Sequence, residues 1–152
     1  MSLQIERVAV DGEESERLMA ELCREVDQLY NNDIPTPWYL AGMDKPGAAF
    51  VMARRDGEGV GCAAIRPLTN EIAETKRVFV RPRARRAGVA LAMVHALEEI
   101  ARNSGFTAMW IETGLRQPDA MRLYESLGYT QIAAFGDYKD DPLSVCYGKP
   151  LR

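Results

Sequence analysis

Apolar residues recur along this chain with two alternating periods, and the switches between them divide it into elements. Leu3, Ile5, Val8 and Val10 suggest a first strand of imperfect alternation, and Asp11 with Glu14 resembles a capping box ahead of a helix. That helix should run to about Tyr30, because Leu18, Leu22, Val26 and Leu29 fall on one face while Glu16, Glu21, Arg24 and Asp27 lie mostly elsewhere. The pattern then breaks. Residues 31–47 contain Pro35, Pro37, Pro46, Gly42 and Gly47, which predicts a long loop with one short helical turn around Trp38 to Gly42. A loop of that length inside a compact domain is often functional.

Two strand-like runs follow, Ala49 to Arg54 and Val60 to Arg66, joined through Asp56-Gly57-Glu58-Gly59, a hairpin signal because glycine accepts the positive φ such turns demand. Ile72 to Arg81 continues as a third strand. A helix beginning near Gly88 and ending about Asn103 places Ala90, Met93, Val94, Leu97, Ile100 and Ala101 on one face and His95, Glu98, Glu99 and Arg102 on the other. His95 next to Glu99 reads as a solvated i,i+4 contact. Thr107 to Thr113 is a buried-strand candidate, parallel to the strand before the helix by the βαβ rule. A second such helix spans about Pro118 to Leu127, with proline in its first turn and Gly128 past its end. Tyr129 to Phe135 and Leu143 to Tyr147 are a closing strand pair. The resulting order is mixed α/β in one domain over 1–152.

Composition narrows the function classes. With 47% hydrophobic and 27% charged residues, 152 residues suffice for a real core. A net charge of −3 argues against a general nucleic-acid or membrane binder, which carries a basic excess. No run of apolar residues reaches the roughly 18 that a membrane span needs, and no secretory leader is evident, so a cytoplasmic location is the default expectation. Cys23, Cys62 and Cys146 are odd in number and far apart, which indicates neither a disulfide framework nor a metal site; they read as reduced core thiols.

Against that acidic background one stretch is strongly basic. Arg81, Arg83, Arg85 and Arg86 precede Ala87, Gly88, Val89 and Ala90, where a helix opens without Asp or Glu. Free backbone N–H groups and the positive end of the helix dipole make such a turn an anion site, and phosphate is its natural guest. A solvated charged turn, or a nucleic-acid contact, is the alternative.

The spacing Arg85-x-x-Gly88-x-Ala90, together with the block Ala120-Met-Arg-Leu-Tyr-Glu-Ser-Leu-Gly-Tyr129, resembles the GNAT superfamily of N-acetyltransferases and its uncharacterised bacterial members. The resemblance implies a mixed, mostly antiparallel central sheet with a parallel splayed strand pair, flanked by helices. It also implies acetyl-CoA as cosubstrate and a primary amine of a small molecule or peptide as acceptor, attacked directly in a ternary complex. Amides of Arg86, Ala87, Gly88, Val89 and Ala90 with the side chains of Arg85 and Arg86 would hold the pyrophosphate. Backbone groups around Val78, Phe79 and Val80 would meet the thioester, and Gln117 stands where the family commonly has an asparagine touching the pantetheine arm. Family members are often dimers, so a homodimer is implied as well. A non-catalytic acyl-CoA-binding module is the competing reading.

An ammonium must lose a proton before it attacks, so a carboxylate is the expected helper. Glu74 is the candidate base: on a regular strand it shares a face with Ile72, Lys76, Val78 and Val80, and the resemblance supports its spacing to the Gly88 turn. A surface glutamate paired with Lys76 or Arg77 remains the alternative. Tyr124, on the inner face of the last helix, is the general-acid candidate by its match to the family block, since a phenol stays protonated at neutral pH. A core tyrosine is its bland counterpart. Trp38, Tyr39, Asp137, Asp140 and Asp141 could line a pocket for a cationic amine or be ordinary loop residues.

Overall fold

The computed structural model describes residues 2–152. Seven strands form one sheet in the order β1-β2-β3-β4-β5-β7-β6. The strands are β1 (Leu3–Arg7), β2 (Ala49–Arg55), β3 (Glu58–Pro67), β4 (Ile72–Val80), β5 (Ala108–Gly114), β6 (Thr130–Ile132) and β7 (Ser144–Pro150). Three α-helices flank them: α1 (Glu13–Tyr30), α2 (Val89–Asn103) and α3 (Pro118–Ser126). All strand pairs are antiparallel except β4 with β5, which the helical crossover makes parallel. The expected α/β order holds throughout.

The sheet separates two apolar clusters. Leu18 and Met19 of α1 meet Phe50, Met52, Cys62, Ala64 and Phe79 on one side. On the other, Val89, Met93, Val94 and Leu97 of α2 pack with Val51, Ala63, Ile65, Met109 and Tyr147, and Tyr124 of α3 joins them. All three cysteines are buried and free. Asp56 and Gly57, with φ of 53° and 81°, make the tight β2–β3 turn, because paired positive angles match the twist of a hairpin.

Several local readings are corrected by long-range partners. Helix α1 is capped by Gly12 with no side-chain cap, since Glu14 turns away to accept hydrogen bonds from Arg54 (2.8 Å) and the Gly59 amide (3.0 Å). The first strand stops at Arg7, short of Val8 and Val10. Residues 38–42 form no helical turn; turns begin at 41. Glu98, predicted on the polar face of α2, is 1% exposed, accepting from Tyr129 (2.8 Å) and pairing with Lys149 (3.1 Å). His95 approaches Glu98 at 3.7 Å rather than Glu99. The closing strand pair is shorter than expected at β6 and reaches Pro150 at β7.

What positions the site is an irregularity in β4. Its register against β3 shifts between Cys62 and Ala64, so that two residues of β4 oppose one of β3, and Arg77 takes a φ of 59°. The Arg77 guanidinium holds this bend by donating to the carbonyls of Pro37, Trp38 and Tyr39 at 3.2, 3.4 and 3.3 Å. One extra residue reverses the alternation. Phe79 therefore packs on the α1 side with Cys62, and Val78 and Val80 pack on the α2 side, contrary to the regular strand expected from Ile72 to Val80. Pairing of β4 with β5 covers only Ile72 to Thr75 against Ala108 to Ile111. Beyond it the parallel strands splay.

Candidate active site

The splay opens into a cavity of about 470 Å³ between α1 and α3. Its rim carries the edge of β4 from Lys76 onward, which has no partner on the β5 side. Its walls include Ile111, Glu112, Gly114, Gln117 and Tyr124, with Tyr30 and Val26 from α1. Unpaired strand edges normally cost hydrogen bonds, so an edge left open beside a cavity suits a ligand that carries its own amides.

Tyr124 is 4% exposed, and its hydroxyl makes no hydrogen bond among the described residues although it lines this cavity. Burial, with a smaller contribution from Glu112, pushes its pKa upward, so it stays a proton donor. The Thr75 hydroxyl, at the fork of the strands, is fully buried and has no partner. Such groups are rare in finished cores, and on a cavity wall a bound molecule can complete their bonding.

Glu112, which no sequence pattern singled out, is a buried carboxylate of this cavity. It accepts a hydrogen bond from Ser144 at 2.7 Å and has no cation within 4.0 Å among the described residues. Burial raises its pKa above the ordinary carboxylate value, only partly offset by Ser144 and Lys76. The available signal was a lone charge in the run from Ala108 to Thr113, on the strand parallel to β4.

Glu74 lies elsewhere. It is 3% exposed, its carboxylate accepts from Arg66 (3.2 Å) and from the Tyr138 hydroxyl (2.9 Å), and it is absent from the cavity wall. Neither Lys76 nor Arg77 pairs with it, so the surface alternative is replaced by a buried one. Lys76 does reach the cavity, and its ammonium donates to Tyr138. Gln117 also lines the wall, where its Oε1 accepts from the Tyr30 hydroxyl at 3.0 Å. That contact requires Gly114: a β-carbon there would sit 1.7 Å from the Tyr30 hydroxyl. Of the loop residues, Asp141 joins the cavity; Asp137 and Asp140 are exposed away from it, and Trp38 and Tyr39 line a separate groove beside Arg7.

The basic turn sits past the end of β4. Arg86 and Gly88 both have positive φ, 64° and 77°, and the first amide of α2 to donate back into the helix is that of Ala92, to Gly88 at 3.0 Å. Amides of Arg86, Ala87, Gly88, Val89, Ala90 and Leu91 find no acceptor among the described residues. Alternating left- and right-handed residues aim such amides at one point, an anion nest. The arginines contribute unequally. Arg81 is committed to Glu21 (2.8 Å), Arg83 to Glu58, and Arg85 to Glu25 (2.7 Å) and the Val80 carbonyl (2.7 Å). Arg86 is exposed and has no carboxylate partner among the described residues. Open amides, a positive dipole end and one free guanidinium fit a diphosphate, and the splayed edge fits the amide-bearing arm of acetyl-CoA.

Known proteins share this fold. The sequence pattern of the Acetyltransferase (GNAT) family matches residues 14–129. An IAA acetyltransferase of Azospirillum brasilense is 37% identical over 136 residues, 89% of each chain. A crystal structure of a Klebsiella pneumoniae protein described as an acyl-CoA N-acyltransferase superposes with a TM-score of 0.84 at 31% identity, covering 99% of this chain and 98% of that one. A GNAT acetyltransferase of Elizabethkingia anophelis with acetyl-CoA bound has the same fold, with a TM-score of 0.69 at 17% identity over 98% of both chains. The chain belongs to the GNAT family of acetyltransferases.

Proposed function

We propose that the chain transfers the acetyl group of acetyl-CoA to a primary amine of a small molecule or peptide, by direct attack within a ternary complex. The observation that carries this reading is the pairing of two groups in one cavity. Tyr124 presents a hydroxyl free of protein partners, and Glu112 presents a carboxylate free of cations, at the mouth of the β4–β5 splay.

Their chemistry is complementary. Glu112, made more basic than an ordinary carboxylate by its burial, accepts the proton an ammonium must lose, directly or through a water. The open edge of β4 between Lys76 and Val80 supplies main-chain donors where negative charge gathers on the thioester oxygen. As the new C–N bond forms and the C–S bond breaks, Tyr124 gives its proton to the departing sulfur. The nest from Arg86 to Leu91 anchors the phosphates, so binding far from the reacting atoms orients the thioester. Bound acetyl-CoA supplies an activated acetyl thioester; the residues of the chain supply position and proton traffic. In this reading Glu74 is a support for Arg66 and Tyr138 rather than the base.

The test is an amine and peptide screen with acetyl-CoA, following free thiol. Acceptor-dependent thiol release that Tyr124→Phe and Glu112→Gln suppress supports the assignment. Tight acetyl-CoA binding with no turnover on any acceptor class would instead make the chain a binding module.

A further inference from the structure

Lys76 is a cation on the cavity wall whose side chain the acetyl-transfer reading leaves without a task. It follows Glu74 by two residues on the α1 side of β4. Continued pairing would set it opposite Glu112, since Thr75 pairs with Ile111. Instead the strands have parted, and the ammonium lies half-buried in the cavity wall.

Its one direct partner on the protein side is neutral, and burial lowers its pKa, with the more distant Glu74 carboxylate acting in the opposite direction. Its Nζ donates to the Tyr138 hydroxyl and lies 5.1 Å from that ring's centre. The Tyr138 hydroxyl in turn donates a hydrogen bond to Glu74, whose carboxylate also accepts from Arg66. No carboxylate stands within 4.0 Å of Lys76 among the described residues, and two of its three N–H donors are unused there. A half-buried cation is costly without an anion, and one placed on a cavity wall can receive its anion from a ligand. The other acidic groups of the cavity, Glu112 and Asp141, leave it with two negative charges and one positive charge, apart from Arg77, which is tied to three loop carbonyls.

We infer that Lys76 is a specificity residue that binds an anionic group on the acceptor, so that the preferred substrates are amines that also carry a carboxylate, such as amino acids. The amine lies toward Glu112 and Asp141 and the carboxylate toward Lys76. This rests on the acetyl-transfer reading above and narrows it.

The experiment compares matched acceptors with and without the carboxylate: phenylalanine with phenethylamine, and leucine with isopentylamine. Each is assayed by thiol release on wild type, Lys76→Met and Lys76→Arg, with the thermal midpoint of each variant confirming folding. A second arm uses calorimetry on CoA-loaded protein with N-acetylphenylalanine and its uncharged counterpart N-acetylphenethylamine. The expected wild-type kcat/KM ratio favours the amino acid by at least about tenfold, a difference of about 1.4 kcal/mol. It should fall to within about twofold of one in Lys76→Met and persist in Lys76→Arg, as expected for a charge contact. A wild-type ratio near one, or one that Lys76→Met leaves unchanged, overturns the inference. An equal loss on both acceptors with a moved pH profile also overturns it, making Lys76 a counter-ion of Glu112. If no amine releases thiol, acetyl transfer fails and calorimetry decides the subsite. Tighter binding of the anion by wild type but not by Lys76→Met then supports it, and equal binding overturns it.

Discussion

The two ends of the cleft are built from different material. The end proposed for phosphate is main chain: open amides from Arg86 to Leu91, in a turn with two positive φ angles. The end proposed for the acceptor is side chain, assembled from α1, β4, β5, α3 and the segment before β7. The first needs a few neighbouring residues that permit a backbone shape. The second needs Lys76, Glu112, Tyr124 and Asp141, which lie far apart in the chain and meet only through the fold. A family can therefore keep its cosubstrate grip in a short motif while its acceptor pocket changes residue by residue.

The comparison is sharpened most by the two carboxylates. Glu112→Gln should lower kcat by about 10²- to 10⁴-fold, the range for a lost general base, with little change in acetyl-CoA affinity. Wild-type kcat/KM should rise as Glu112 deprotonates, above the ordinary carboxylate range, and the variant should lack that limb. Stability should move oppositely. Because burial raises the native pKa, the folded state holds this proton more tightly than the unfolded chain. Wild type thus loses stability as pH climbs from the ordinary value of 4.5 to the raised one. Thermal midpoints should show Glu112→Gln gaining on wild type across that window and holding its advantage above it. Glu74→Gln should instead cost about 1–3 kcal/mol in denaturant titrations, from weakened bonds to Arg66 and Tyr138, with less than tenfold effect on kcat.

Tyr124→Phe comes next. Thiol release should fall about 100-fold through loss of the acid, yet stability should stay within about 0.5 kcal/mol, because the hydroxyl has no protein partner and phenylalanine fills the same space. A tyrosine that only fills the core would leave thiol release unchanged. Gly114→Ala joins the two halves of the cleft: its β-carbon displaces Tyr30 from Gln117, at about 1–3 kcal/mol by chemical denaturation and with weaker acetyl-CoA binding. The smallest effect belongs to the phosphate end. Arg86→Ala should raise the Kd for acetyl-CoA about two- to fivefold by calorimetry, a difference that shrinks as salt is added. A larger loss there would mean that side chains, and not amides, hold the phosphates.

The sequence alone carried the element order, the parallel β4–β5 pair, the turn at Gly88 and the place of Tyr124, because each follows from local periodicity or a short motif. It did not carry the bend at Arg77. Regular alternation grouped Glu74 with Val78 and Val80, while the extra residue put Phe79 on that side instead. Charged residues were misplaced wherever a distant partner decided their fate. Glu14 looked like a cap and went to Arg54; Glu98 looked solvated and went to Tyr129 and Lys149. The four arginines of the basic turn looked alike, yet Glu21, Glu25 and Glu58 take up three of them and leave Arg86. Glu112 escaped notice because its significance depends on where β4 and β5 part, and no residue pattern announces that point.

The central claim is that one cleft runs from the amides at Gly88, along the open edge of β4, to Tyr124 and Glu112. A crystal structure of the protein with CoA tests it most directly. The account predicts the pyrophosphate on the amides of Arg86 to Leu91, pantetheine against Lys76 to Val80, and the thiol sulfur within hydrogen-bonding reach of the Tyr124 hydroxyl. CoA seated elsewhere, or its sulfur remote from Tyr124, would contradict it.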